Sequence, residues 1–235
     1  METLLDALAE AVRLLASGDA ETVEILLRSL RVSLAATAIA CAVALPAAYG
    51  LAFGRFRGRG LLVATVNTGM GLPPVVVGLV VTVFLWRSGP LGELELLYTT
   101  TGMVIAQALI AAPLVCAFAV AALQGGVDPG LRLQLRGLGA TRLRLALALL
   151  REARLGLCAA AMAGFGAALS EVGAAMMVGG NIAGETRVLT TGAVLATSRG
   201  DFALALALGL VLLIVAFAVT AMLTVLQQRA APLRA

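Results

Sequence analysis

The chain has 235 residues, of which 61% are hydrophobic and only 13% charged, about half of the ~25% charged share usual in soluble globular proteins. Its net charge of +4 comes from arginine alone, because histidine and lysine occur nowhere in the sequence. This composition excludes a water-soluble fold, histidine-based acid–base or metal chemistry, a Schiff-base lysine and a P-loop lysine, so any energy coupling requires a separate ATPase.

Leu4, Leu5, Leu8, Val12 and Leu15 recur at helical spacing with acids between them, which predicts a short amphipathic helix over residues 1–17 lying along a surface. Glu2, Asp6 and Glu10 stand where a cleaved signal peptide carries a basic n-region, so this stretch is not read as a signal. After Ser17-Gly18-Asp19 come five apolar runs, each of the ~20 residues that a membrane crossing needs. They cover 30–53, 61–86, 101–123, 155–178 and 202–226. The second run is interrupted at Gly69-Met70-Gly71-Leu72-Pro73-Pro74, and Pro46 and Pro113 lie inside the first and third. Such breaks suit helices that line a pathway or bend during a transport cycle, although any single proline taken alone reads first as an ordinary packing kink. Ala159, Ala163, Gly164 and Ala168 permit close helix contact in the fourth run. Cys41, Cys116 and Cys158 each lie in an apolar run without paired spacing and read as small core residues.

The expected fold is therefore an all-α integral membrane protein, a single transmembrane domain with about five spans. Arginine placement orients it. Arg55, Arg57 and Arg59 follow span one, Arg132, Arg136, Arg142, Arg144, Arg151 and Arg154 follow span three, and Arg229 and Arg234 lie in the tail. All three groups fall on one side, whereas Glu2, Asp6, Glu10, Asp19, Glu21, Glu24, Glu93, Glu95, Glu185 and Asp201 fall on the other. The positive-inside rule then puts the N-terminus outside and the C-terminus in the cytoplasm of an inner-membrane protein.

The polar segment 124–154, with regular Leu and Arg spacing, predicts short helices outside the membrane, and connections in compact folds are usually far shorter. Leu135-Arg136-Gly137-Leu138-Gly139-Ala140-Thr141-Arg142 carries a glycine pair between helical runs, the chemistry of a helix–turn–helix corner on which a cytoplasmic partner docks. A basic face held near anionic lipid headgroups accounts for the same composition.

The segment RGLGATRLRLALALLREAR, Arg136 to Arg154, resembles the coupling loop of ABC-importer permeases, with Gly139 matching its central glycine. It departs from the family at Leu133-Gln134-Leu135, where an acid and two alanines are common, and at Leu149 to Arg154, which replaces a Leu-Pro ending. LSEVGAAMMVGGNIAGETRVLTTG, Leu169 to Gly192, and the opening LLASGDAETVEILLRSLRVSLAATAIA resemble tungstate-type permeases of the molybdate, tungstate and sulfate importer group. The resemblance covers most of the chain. It implies a homodimeric, type I importer permease moving an oxyanion, tungstate first and molybdate or sulfate as alternatives. It further implies two cytoplasmic ATPase subunits that hold the ATP and Mg, an extracytoplasmic binding protein, and no cofactor, catalytic site or nucleic-acid partner for this chain. The coupling residues it points to are Arg136, Gly137, Leu138, Gly139, Ala140, Thr141 and Arg142.

Glu171 is the one carboxylate well inside an expected span, and intramembrane acids read as functional by default. A dianion would be repelled by it, which favours a structural hydrogen bond to Ser170, to backbone or to a neighbouring helix near a gate. Ser170, Glu171, Gly173, Asn181, Thr190 and Thr191 are the candidate pathway or gate residues. The connection 179–201 offers backbone N–H groups and hydroxyls to an arriving oxyanion, or serves as a docking and gate-forming loop. Its fixed charges, Glu185 and Arg187, nearly cancel, which favours docking. A self-contained secondary carrier, with Glu171 as its proton or ion site, is the reading from another class.

Overall fold

The computed structural model of the chain describes residues 20–229 together with Leu5, Leu8, Ala9, Val12 and Arg13. These five are helical and exposed, while the rest of the amphipathic helix expected over 1–17, and Arg234 of the tail, lie outside the described residues. Ten helices follow: α1 (Ala20–Phe53), α2 (Arg59–Met70), α3 (Pro74–Leu85), α4 (Thr100–Gly125), α5 (Pro129–Gly137), α6 (Arg142–Glu152), α7 (Arg154–Leu169), α8 (Gly173–Gly179), α9 (Leu189–Ser198) and α10 (Phe202–Arg229). A short 3₁₀ turn at Gly92–Leu94 joins α3 to α4. Among the described residues all regular secondary structure is helical.

Three helices, α1, α4 and α10, are each long and apolar enough to cross a membrane, and the bent pairs α2–α3 and α7–α8 raise the number of spans to as many as five. α1 begins at Ala20 rather than at the expected Leu30, and its 34 residues reach ~51 Å, well beyond a ~30 Å hydrocarbon core. The helix is thus longer than one crossing requires, and its charged residues Glu21, Glu24 and Arg28 lie in its first turns. The second run divides into two helices at 102°, because Gly71 ends α2 and Pro73–Pro74 restart the chain with proline at the first position of α3.

α1 and α4 pack along most of their length, with α7 laid across them. The contact is made by small side chains: Ala40, Ala44 and Ala48 of α1 meet Ala111, Val115 and Ala119 of α4 and Ala160 of α7 in one buried cluster. A Cβ on Gly164 would come within 2.4 Å of a Val115 methyl, and one on Gly69 within 2.7 Å of Pro113. Glycine and alanine let these backbones approach where apolar lipid supplies no hydrophobic drive for association.

The two ends of the bundle differ in charge. At one, an Arg132 Nη2 donates to the Phe53 carbonyl at 3.3 Å, Arg59 Nε donates to the Leu51 carbonyl at 2.7 Å, and Gln227 Nε2 donates to the Leu155 carbonyl at 2.9 Å. The connections carrying Arg55, Arg57, Arg136, Arg142, Arg144 and Arg151 gather there. At the other, Tyr98 N–H donates to the Val178 carbonyl at 2.7 Å, and Arg28 reaches the segment 184–187. This end holds Glu21, Glu24, Glu93, Glu95, Glu185 and Asp201, with Arg28, Arg87, Arg187 and Arg199 among them.

Candidate functional site

At the basic end, α5 closes in the chain signature of a Schellman motif. Gly139 adopts φ +77°, its N–H donates to the Arg136 carbonyl at 3.0 Å, and Ala140 N–H donates to the Leu135 carbonyl at 3.0 Å. Only glycine takes this left-handed conformation without cost. Thr141 then caps α6, its Oγ1 accepting from Arg144 N–H at 3.4 Å. Leu145 and Leu149 of α6 are buried, and Leu131 and Leu135 of α5 pack beside them against the α1–α4 cluster. The opposite face is left bare, with Leu133, Leu143 and Leu147 exposed and Leu138 at the tip 83% exposed. Arg136, Gly137, Leu138, Gly139, Ala140, Thr141 and Arg142 therefore form one exposed corner with an apolar point and basic flanks. Such an arrangement can seat in a partner's groove.

Within the bundle, the two helix breaks face each other. A cavity of about 350 Å³ is lined by Gly69, Met70, Gly71, Leu72, Pro73 and Pro74 from the α2–α3 break and by Ser170 and Glu171 from the α7–α8 break, where the chain bends by 59°. Glu171 is 8% exposed, and its Oε1 accepts the Ala174 N–H at 2.9 Å, which would otherwise be one of the orphan donors at the start of α8. Its own carbonyl accepts from Thr190 Oγ1 at 2.9 Å. The carboxylate thus bonds to backbone, while Ser170 turns back to its own helix, donating to the Gly166 carbonyl at 2.8 Å. Gly173 sits under α3: a Cβ there would be 2.7 Å from a Val75 methyl.

The structure brings Ser170, Glu171, Gly173 and Thr190 together and sets Thr191 and Asn181 apart. Thr191 is fully buried and caps α9, with Oγ1 accepting Val188 N–H at 3.1 Å and lying 3.2 Å from the Val188 carbonyl, to which it donates. Asn181 stands at the far turn with φ +53°, its buried Oδ1 without a partner among the described residues.

The residues that fix the 180–188 segment escape the sequence. Arg28, buried in α1, donates to the carbonyls of Arg187 at 3.0 Å and Gly184 at 2.7 Å and pairs with Glu24. Ser29 Oγ accepts the Leu189 N–H at 2.9 Å, and Thr186 Oγ1 accepts the Ile182 N–H at 2.9 Å while donating to the Gly179 carbonyl. Nothing local in the sequence marks them: the carbonyls that Arg28 holds lie more than 150 positions away.

Residues 23–232 match the family described as binding-protein-dependent transport system inner membrane component. The chain is 41% identical over 228 residues to the tungstate uptake system permease protein TupB of Peptoclostridium acidaminophilum, covering 97% of this chain and 100% of that one. It is 30% identical to the protein of the same name from Campylobacter jejuni, over 92% and 90% of the two chains. The molybdenum transport system permease protein ModB of Escherichia coli is more distant in coverage, 33% identical over 57% of this chain and 62% of its own.

Proposed function

This chain belongs to the family of binding-protein-dependent transport system inner membrane components, and from that membership we propose that it is the permease subunit through which an ATP-driven importer moves tungstate across the inner membrane. Molybdate and sulfate, tetrahedral dianions of the same charge, are the alternative substrates. The substrate reading rests on the relatives named for tungstate uptake, which match over nearly the whole chain. The coupling reading rests on one observation above the others, the Gly139 corner with Leu138 projecting 83% exposed from two helices otherwise anchored to the bundle.

In this account the basic end faces the cytoplasm, as the positive-inside rule requires, with the N-terminus outside. Cytoplasmic ATPase subunits receive the corner in a groove, and their closure and opening move α5 and α6 as a lever against the feet of α1 and α4. An extracytoplasmic binding protein delivers the oxyanion to the acidic end, near segment 180–201. Two copies of the chain enclose the path, with the facing breaks at Gly71–Pro73 and Ser170–Val172 as the bending points of each. Glu171 is a structural acid here: its Oε1 is committed to the first turn of α8 and does not meet the substrate.

Glu171→Gln separates this account from a proton-coupled carrier. Glutamine keeps an oxygen that accepts the Ala174 N–H and loses the titratable proton. In proteoliposomes holding the full complex, oxyanion uptake by Glu171→Gln will match the unmodified protein, depend on internal ATP and survive collapse of the proton gradient. Glu171→Ala, which leaves the N–H unpaired, will lose roughly 1–3 kcal/mol of stability. Uptake that continues without ATP and vanishes in Glu171→Gln would show a carrier instead.

A further inference from the structure

We propose that the large cavity at the basic end binds a phosphate-type tetrahedral oxyanion, held by Arg55, Arg132, Arg136 and Arg142. The cavity, about 1070 Å³, opens where the feet of α1 and α4 meet the corner, and these four guanidinium groups line it. Asp128 is the one carboxylate in the lining, and its Oδ1 is engaged by Gly130 N–H at 2.7 Å as the cap of α5. Positive charge on the wall therefore exceeds what the wall itself neutralises. Some positive charge answers the carbonyl ends of the helices, since Arg132 donates to the Phe53 carbonyl. The remainder does not: among the described residues Arg55, Arg136 and Arg142 make no ion pair.

Arg132 is the built element of the site. Its guanidinium lies 5.0 Å from the centre of the Phe53 ring, and its Nη2 is held by the Phe53 carbonyl. A guanidinium stacked on a ring and tethered at one nitrogen on a cavity wall is suited to the charge-assisted recognition of a phosphate-type anion. Three further arginines around the same space supply a multivalent anion with donors from several directions. The anion in turn would tie α5 and α6 to the ends of α1 and α4, bracing the base of the corner.

The shared chemistry has two sources. Just past the ends of two apolar helices, the cavity stands at headgroup depth, where an anionic phospholipid presents a phosphodiester. A free oxyanion, inorganic phosphate or the transported ion itself, presents the same tetrahedron from solution. An acidic side chain of a partner protein is the competing occupant.

The test uses the full chain, stripped of lipid and placed in phosphatidylcholine nanodiscs. One arm adds phosphatidylglycerol and the other adds sodium phosphate or sodium tungstate, with bound species read by native mass spectrometry and thermal stability read in parallel. Saturable binding in the first arm assigns a lipid headgroup, and in the second a free ion; either supports the site. Arg55→Gln/Arg136→Gln, both exposed and free to change without unfolding the chain, will weaken it by roughly tenfold or more. Arg132→Gln will do the same, and Arg87→Gln at the acidic end will not. Binding no tighter than phosphatidylcholine in both arms, or equal binding by the double variant, overturns the proposal.

Discussion

Gly139→Val will leave the chain inserted in the membrane and uncouple it from its ATPase, cutting oxyanion-stimulated ATP hydrolysis by the reconstituted complex by about tenfold. The reason is conformational. No atom lies within 4 Å of a Cβ built at Gly139, so nothing in this chain obstructs the side chain; the obstacle is φ +77°. A non-glycine residue pays roughly 1–2 kcal/mol for the left-handed conformation, and a β-branched one fits it worst. That strain acts against the two hydrogen bonds from Gly139 and Ala140 that close the corner. One to two kcal/mol shifts a two-state ratio by about 5- to 30-fold, in the direction that turns Leu138 away from its seat. Asparagine tolerates the left-handed region, so Gly139→Asn will retain most coupling, whereas Leu138→Ala will lose it with the backbone intact. Equal ATPase stimulation by Gly139→Val would mean that the corner is not the docking element.

The largest effect on the fold is expected at Gly78. A Cβ there would lie 2.6 Å from Ala174 Cα and 3.0 Å from Ala174 Cβ, so even alanine forces two backbones apart. The contact holds α3 against α8, the second halves of both broken pairs, and around it Val81, Leu85, Ala106, Ala174 and Val178 form a buried cluster. Gly78→Ala should cost about 1–3 kcal/mol as overpacking, with Gly78→Val at or above the top of that range. Adding Ala174→Gly will restore only part of the loss, because it removes the Cβ and leaves the Cα in place. Gly209→Ala in α10, where no atom lies within 4 Å, is the control and will be neutral or stabilising by up to ~1 kcal/mol. Thermal unfolding in detergent measures all four, and a Gly78→Val protein as stable as the unmodified chain would contradict the packing described here.

What the sequence discloses depends on how local the cause is. The apolar runs announce α1, α4 and α10 because membrane length is a property of one segment, and the glycine at 139 announces the corner because its requirement for positive φ is its own. The break at Gly69–Pro74 is visible for the same reason. The break at Ser170–Val172 is not: none of those three residues is a helix breaker, and the bend is held by a Glu171 bond to Ala174 and a Thr190 bond from another helix. α9 hides in a threonine-rich stretch that reads as a connection, and its start is fixed by Ser29 on α1. Arg28 lies just before the first expected span, and its role shows only in the fold, where it pins carbonyls of a segment distant in sequence. Of the pathway candidates, Ser170, Glu171, Gly173 and Thr190 converge through such tertiary bonds, while Asn181 and Thr191 share only their place in the chain.

The most direct test of the central claim is the ATPase activity of this chain reconstituted with its ATPase and binding protein, measured with tungstate, molybdate and sulfate in turn. Stimulation by the tungstate-loaded binding protein, stronger than with molybdate or sulfate, is the predicted result. Hydrolysis indifferent to all three oxyanions would contradict an oxyanion permease, whatever the helices do in the membrane.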